Sequence, residues 1–122
     1  MELLDYYDST GKHIGVETRE KIHSDGLWHQ VVHCWIYDAD GNIYFQLRAD
    51  NKKMFTTASG HVAAGESLKE AFSRETKEEI GIDVETETAK FVMKKTFEMD
   101  KGNIKDRVFP TLCSFYQRHR LF

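Results

Sequence analysis

A chain of 122 residues, 40% hydrophobic and 30% charged, is expected to form one domain over 1–122 with a single core and no structural disulfide or metal. A net charge of −3 gives no support for nucleic-acid or anionic-membrane partners, and no apolar run reaches the length of a membrane span. The N-terminus MELLDYYD lacks a basic region followed by an apolar one, which points to the cytoplasm.

Residues 1–22 alternate weakly about a turn at Asp8–Lys12, so Leu3–Tyr7 and His13–Glu17 are candidate strands of a hairpin. His23–Gly26 reads as a loop. QVVHCWIY, residues 30–37, is apolar on both faces and rich in β-branched and aromatic residues, as a central strand covered on both sides would be. A turn at Asp38–Gly41 leads into NIYFQLR, where Ile43, Phe45 and Leu47 share one face. Residues 49–58 form a loop or short strand. Past residue 82, strand candidates are clearest at Lys90–Phe97 and Val108–Tyr116, with a turn at Asp100–Asn103. Pro110 argues for an edge or a bulge in the last of these. Cys34 and Cys113 fall in apolar runs without zinc or CxxC spacing and read as buried reduced thiols.

Between these strands the spacing predicts a helix over Leu68–Ile80. Ser67 and Glu70 form a capping-box pattern, and Gly81 stands at the left-handed C-cap. Glu75, Glu78 and Glu79 share one face of its last two turns. Carboxylates there repel one another and oppose the helix dipole, at about 0.3–1 kcal/mol each at a surface. A hard divalent cation among them explains the arrangement, because Mg²⁺ takes oxygen ligands. The competing reading is a solvated acidic face, partly neutralised by Arg74 and Lys77.

The spacing GHVAAGESLKEAFSRETKEEIGI, residues 60–82, resembles the Nudix signature G-x5-E-x7-R-E-U-x-E-E-x-G-U, with U a bulky apolar residue. Gly60, Glu66, Arg74, Glu75, Glu78, Glu79 and Gly81 fill every fixed place. At roughly 7% chance per place, seven together are on the order of 10⁻⁸. Thr76 departs from the usual large aliphatic, for which a small packing loss is expected. The resemblance implies an α+β fold, an α/β/α sandwich around a mixed sheet, whose usual C-terminal helix is missing here. It also implies a hydrolase in which water attacks a diphosphate linked to another moiety, the partner being that small molecule. Mg²⁺ or Mn²⁺ would be held by Glu75, Glu79 and Glu78, with the Ser59 carbonyl as a backbone ligand and Glu66 direct or through water. Arg74 would orient the carboxylates. Glu78 is the first candidate for the general base, ahead of Glu98 and Asp106.

The stretches 26–53 and 59–61 also resemble the isopentenyl-diphosphate isomerase branch of the same superfamily. By that resemblance His29 and His61 stand where two metal-binding histidines fall, and Arg48 and Lys52 where a basic pair holds the diphosphate. The chemistry of that enzyme is absent: Ser59 replaces its acidic cysteine, and Lys105-Asp106-Arg107 replaces its downstream acidic pair. His61 is a candidate for substrate or metal, Arg48 and Lys52 for phosphate, and Trp28, Trp35 and Phe55 for a base slot. His29 and His33 read as poorly aligned for a ligand pair, leaving His33 structural. An idle nucleotide-binding module is the alternative function, and an isomerase the third. Because the apolar strand needs both faces covered, a two-fold dimer is expected unless residues 1–26 cover the second face.

Overall fold

The computed structural model describes residues 2–47, 54–55, 58–84, 89–93, 96–102 and 104–117. The N-terminal alternation forms the expected hairpin: β1 (Leu3–Tyr7) and β2 (His13–Thr18) pair antiparallel. The Asp8 carboxylate closes its turn by accepting from the Thr10 and Lys12 amides at 2.9 and 3.0 Å.

The expected loop at His23–Gly26 is instead the end of a helix, α1 (Arg19–Asp25). Thr18 caps its start, accepting from the Lys21 amide at 3.3 Å, and Gly26 ends it in a left-handed conformation at φ 66°. Seven residues are too few for an autonomous helix, so packing must hold it. Ile22 supplies that anchor, fully buried between α1 and the strands it covers, β1, β2 and the last strand.

The central strand is β3 (Trp28–Asp38), longer than the apolar run alone. The turn after it is tied to Asp38, whose carboxylate accepts from Tyr44 Oη at 2.7 Å and the Asn42 amide at 3.0 Å. The tyrosine hydroxyl is the main reason its pKa falls to about 2. Only β4 (Ile43–Tyr44) returns along β3; β5 (Gln46–Leu47) leaves to pair with β6 (Met54–Phe55) in a separate small sheet. β7 (Ala58–His61) comes back onto β3 and delivers the chain to α2 (Leu68–Ile80). Then follow β8 (Lys90–Met93), β9 (Phe97–Lys101) and β10 (Ile104–Gln117).

The main sheet runs β2-β1-β3-β10-β8, with β4 and β7 also on β3 and β9 also on β10. β3 and β10 are parallel, from Trp28 beside Arg107 to Asp38 beside Gln117, and the other described pairs are antiparallel. The sheet is therefore mixed, as expected. Pro110 corrects the sequence reading, because β10 is interior rather than an edge. Among the described residues β9 pairs with it as far as Val108 and β8 from Thr111, while residues 94 and 95, between those two partners, lie outside the described residues.

Parity in this register separates the two faces. Val32, Cys34 and Ile36 of β3 and Thr111, Cys113 and Phe115 of β10 point to one side, where Ala71 and Phe72 of α2 close the core. Both cysteines are free thiols buried there, side by side on adjacent strands. Thr76 is also fully buried, and its hydroxyl donates to the Phe72 carbonyl at 2.7 Å, so the departure from an aliphatic leaves no orphaned polar group. On the other side Ile43, Phe45, Val92 and Tyr116 remain 45 to 58% exposed. No helix among the described residues is long and apolar enough to cross a membrane.

Candidate functional site

The carboxylate face of α2 is fixed by how the helix begins and ends. The Ser67 hydroxyl accepts from the Glu70 amide and the Glu70 carboxylate from the Ser67 amide, both at 3.1 Å, while Gly81 ends the helix at φ 73°. With that rotation set, Glu75 and Glu79 reach β7. Glu79 Oε1 accepts from the Ser59 amide at 3.1 Å. The Glu75 carboxylate lies so close over Gly60 that any Cβ there would overlap it. The first fixed glycine of the signature is therefore a close-approach position.

Arg74 joins the remaining members. Its Nε and Nη2 donate to the two Glu66 oxygens at 2.7 and 2.9 Å, a two-point fork, and Nη1 donates to Glu75 at 2.7 Å and Glu78 at 3.4 Å. Nη2 also donates to the His61 carbonyl at 3.0 Å. The hydrogen bond from Arg74 is the main reason Glu66 is a stronger acid than usual, and the Glu66 bond in turn raises the Arg74 pKa. Glu75 is shifted the opposite way. Burial raises its pKa, Arg74 opposes that, and the charges of Glu79 and Glu78 add to the rise. Glu66, Glu75 and Glu78 thus gather on the Arg74 guanidinium, and Glu79 lies beside them on the β7 backbone. Hard oxygen donors in this number suit Mg²⁺ or Mn²⁺.

Beside this network is a second cluster. His23, His29 and His61 offer ring nitrogens all within 4.8 Å of one another. Their ring centroids are 5.2 to 5.3 Å apart. His23 Nε2 is 3.1 Å from Asp106 Oδ1. His29 is fully buried; its Nδ1 donates to the Leu27 carbonyl at 3.0 Å, which leaves Nε2 with the lone pair and no hydrogen-bond partner among the described residues. Burial, then the neighbouring His29, pushes the His61 pKa down to about 3, so its imidazole is neutral and able to ligate. The cluster's three imidazole donors suit a borderline ion such as Zn²⁺.

The sequence reading placed His29 and His61 by resemblance and missed His23, which it assigned to a loop. The signal was the H-x5-H spacing together with the Thr18 cap, which turns His23 inward from α1. The two aromatic residues of the supposed base slot that can be followed take separate partners, Trp28 against Phe109 and Trp35 against Phe45. Arg48 and Lys52 lie outside the described residues, as does the side chain of Phe55. Of the downstream base candidates, Asp106 faces His23, and Glu98 is 3.8 Å from Arg107.

Comparison with known proteins agrees with this geometry. A NUDIX domain model matches residues 27–117. An uncharacterized Nudix hydrolase of Clostridium acetobutylicum is 39% identical over 90 residues, 67% of this chain and 43% of the relative. An isopentenyl-diphosphate Delta-isomerase of Mycolicibacterium vanbaalenii is 30% identical over 89 residues, 68% of this chain and 49% of the relative. The chain thus spans about half the length of these curated relatives. Among solved structures, a Deinococcus radiodurans protein superposes with a TM-score of 0.68 at 17% identity, covering 98% of this chain and 73% of the other. A MutT protein of Methanosarcina mazei gives a TM-score of 0.57 at 21% identity, covering 76% and 67%. The fold is the α+β Nudix type, with two helices among the described residues on a mixed sheet. Domain match and signature geometry lead to one assignment: this chain belongs to the NUDIX domain family.

Proposed function

We propose that this chain is a metal-dependent pyrophosphohydrolase that cleaves a diphosphate linked to another moiety, water attacking phosphorus. The observation that carries the reading is the approach of Glu75 and Glu79 to the Ser59–Gly60 backbone of β7, with Glu78 joined to them through Arg74. Glu75, Glu79, Glu78 and the Ser59 carbonyl would hold Mg²⁺ or Mn²⁺. Both Glu66 oxygens are engaged by Arg74, so Glu66 would meet the ion through water. When bound, the ion neutralises the diphosphate oxygens and the leaving group. Arg74 is a positioning residue that sets the carboxylate spacing. Glu78 is the favoured general base: its side chain is 60% exposed and makes only a 3.4 Å bond to Arg74, whereas Asp106 is engaged by His23. Arg48 and Lys52 would bind the diphosphate, in keeping with the isomerase resemblance. His61 would face the substrate from β7 while its carbonyl anchors Arg74.

A second reading, isomerase-like chemistry at the histidine cluster, is favoured by the buried lone pair of His29 and by Asp106 beside His23. Against it stands Ser59, a far weaker acid than a thiol. The test is a panel of nucleoside diphosphates and triphosphates, dinucleotides, sugar nucleotides and isopentenyl diphosphate, each with Mg²⁺ or Mn²⁺. Hydrolysis of one of the linked diphosphates supports the hydrolase. Dimethylallyl diphosphate above a no-enzyme control would replace it with the isomerase. Tight binding without turnover would indicate an idle module.

The exposed sheet face carrying Ile43, Phe45, Val92 and Tyr116 also supports a proposed two-fold dimer, since apolar surface gathered on one face favours burial against a copy. Light scattering over a dilution series should show the dimer mass at the highest concentrations. A monomer at every concentration would contradict it.

A further inference from the structure

The N-terminal hairpin reaches the signature loop through a backbone bridge and through the Asp5 carboxylate. Leu4 bridges Ala63, and the Ala64 amide donates to the Leu3 carbonyl at 2.8 Å. The Gly65 amide donates to Asp5 Oδ2 at 2.9 Å, while Asp5 Oδ1 lies 2.8 Å from His13 Nε2. Residues 63–66 form a β-turn closed by the Glu66 amide on the Ala63 carbonyl at 3.0 Å, with Gly65 at φ 76°. A glycine of positive φ at the third place marks a type II turn, which differs from type I mainly in the orientation of the central peptide. That peptide, Ala64–Gly65, is the one whose N–H points at Asp5.

We propose that Asp5 is a positioning residue for the carboxylate network: by holding the Gly65 N–H it selects the type II form of the Ala63–Glu66 turn and so aims Glu66 at Arg74. The relay is continuous. Glu66 Oε1 accepts from the Ala63 amide at 3.0 Å and from Arg74 Nη2 at 2.9 Å, and Arg74 Nη1 holds Glu75 at 2.7 Å. Without the Asp5 acceptor the central peptide is free to turn over, and the fork between Glu66 and Arg74 loses its fixed base. The hairpin is then part of the site although it contributes none of the signature residues. This inference rests on the reading of Glu75, Glu78 and Glu79 as a cation site.

Mn²⁺ titration followed by the electron paramagnetic resonance of the free ion tests it in the full chain. Asp5→Ala should weaken Mn²⁺ binding about tenfold, the scale seen when a partner of a metal ligand is removed. It should also speed hydrogen exchange at the Gly65 amide. Asp5→Asn retains an acceptor oxygen and should bind within about twofold of the parent chain. Asp8→Ala removes the hairpin's own turn bonds without touching residues 63–66 and should leave Mn²⁺ affinity unchanged. Parental affinity in Asp5→Ala, or an equal loss in Asp8→Ala, would overturn the role of Asp5 alone. Should Asp5→Ala fail to fold, Asp5→Ser is read by the same criterion. If the parent chain binds no Mn²⁺, the cation site falls as well.

Discussion

Glu79→Gln is expected to lose hydrolysis by on the order of a hundredfold or more, because even partners of metal ligands typically cost 10–100-fold when removed. The substitution keeps shape and volume and leaves an amide oxygen to accept from the Ser59 N–H, now seen at 3.1 Å to Glu79 Oε1. What it removes is one negative charge from the proposed cation site. Stability should move the other way. Glu79 is in the last turn of α2, where the helix dipole is negative and Glu75 is close by. Deleting that charge should leave the fold unchanged or more stable by about 0.3–1 kcal/mol. Steady-state rates on the best substrate, with thermal unfolding of both chains in EDTA, separate the two effects. A parental rate in the variant contradicts Glu79 as a metal ligand.

The helix that carries this residue was legible because its stop and start signals are local. Ser67, Glu70 and Gly81 act through bonds within one turn, so their spacing in sequence is already their geometry. The hairpin at its near end was legible for the same reason. α1 was hidden because its seven residues carry one buried anchor, Ile22, and too little periodicity to distinguish a helix from a loop. The parallel pairing of β3 with β10 joins residues about 80 positions apart, and no local signal encodes it. The histidine cluster gathers three separate elements that no local signal brings together: α1 contributes His23, β3 contributes His29 and β7 contributes His61. Likewise, the arginine fork on Glu66 could be expected from the signature, whereas its support from Asp5 needed the fold.

Gly60→Ala is expected to separate function from stability more sharply than any carboxylate change. The added methyl would overlap the carboxylate of Glu75, the far end of a flexible side chain rather than backbone. Gly60 lies in β7 opposite Val32, away from any turn that would demand a positive φ, so alanine meets no backbone strain. The fold can therefore yield by swinging Glu75 aside, and the melting temperature should change little. The site cannot yield in the same way. Glu75 would have to leave Arg74 Nη1, now at 2.7 Å, and the cation would lose a ligand and its approach to the Ser59–Gly60 backbone together. Displacement of a reacting group by about 1 Å costs on the order of 10²-fold in rate, and a loss of at least that size is expected here with every substrate tested. Measured side by side, Mg²⁺-dependent hydrolysis should fall while thermal unfolding in EDTA stays at the parental value. Equal activity in the variant would mean that Glu75 works from a position the methyl does not reach. A large fall in melting temperature would mean that the strand, not the carboxylate, had moved.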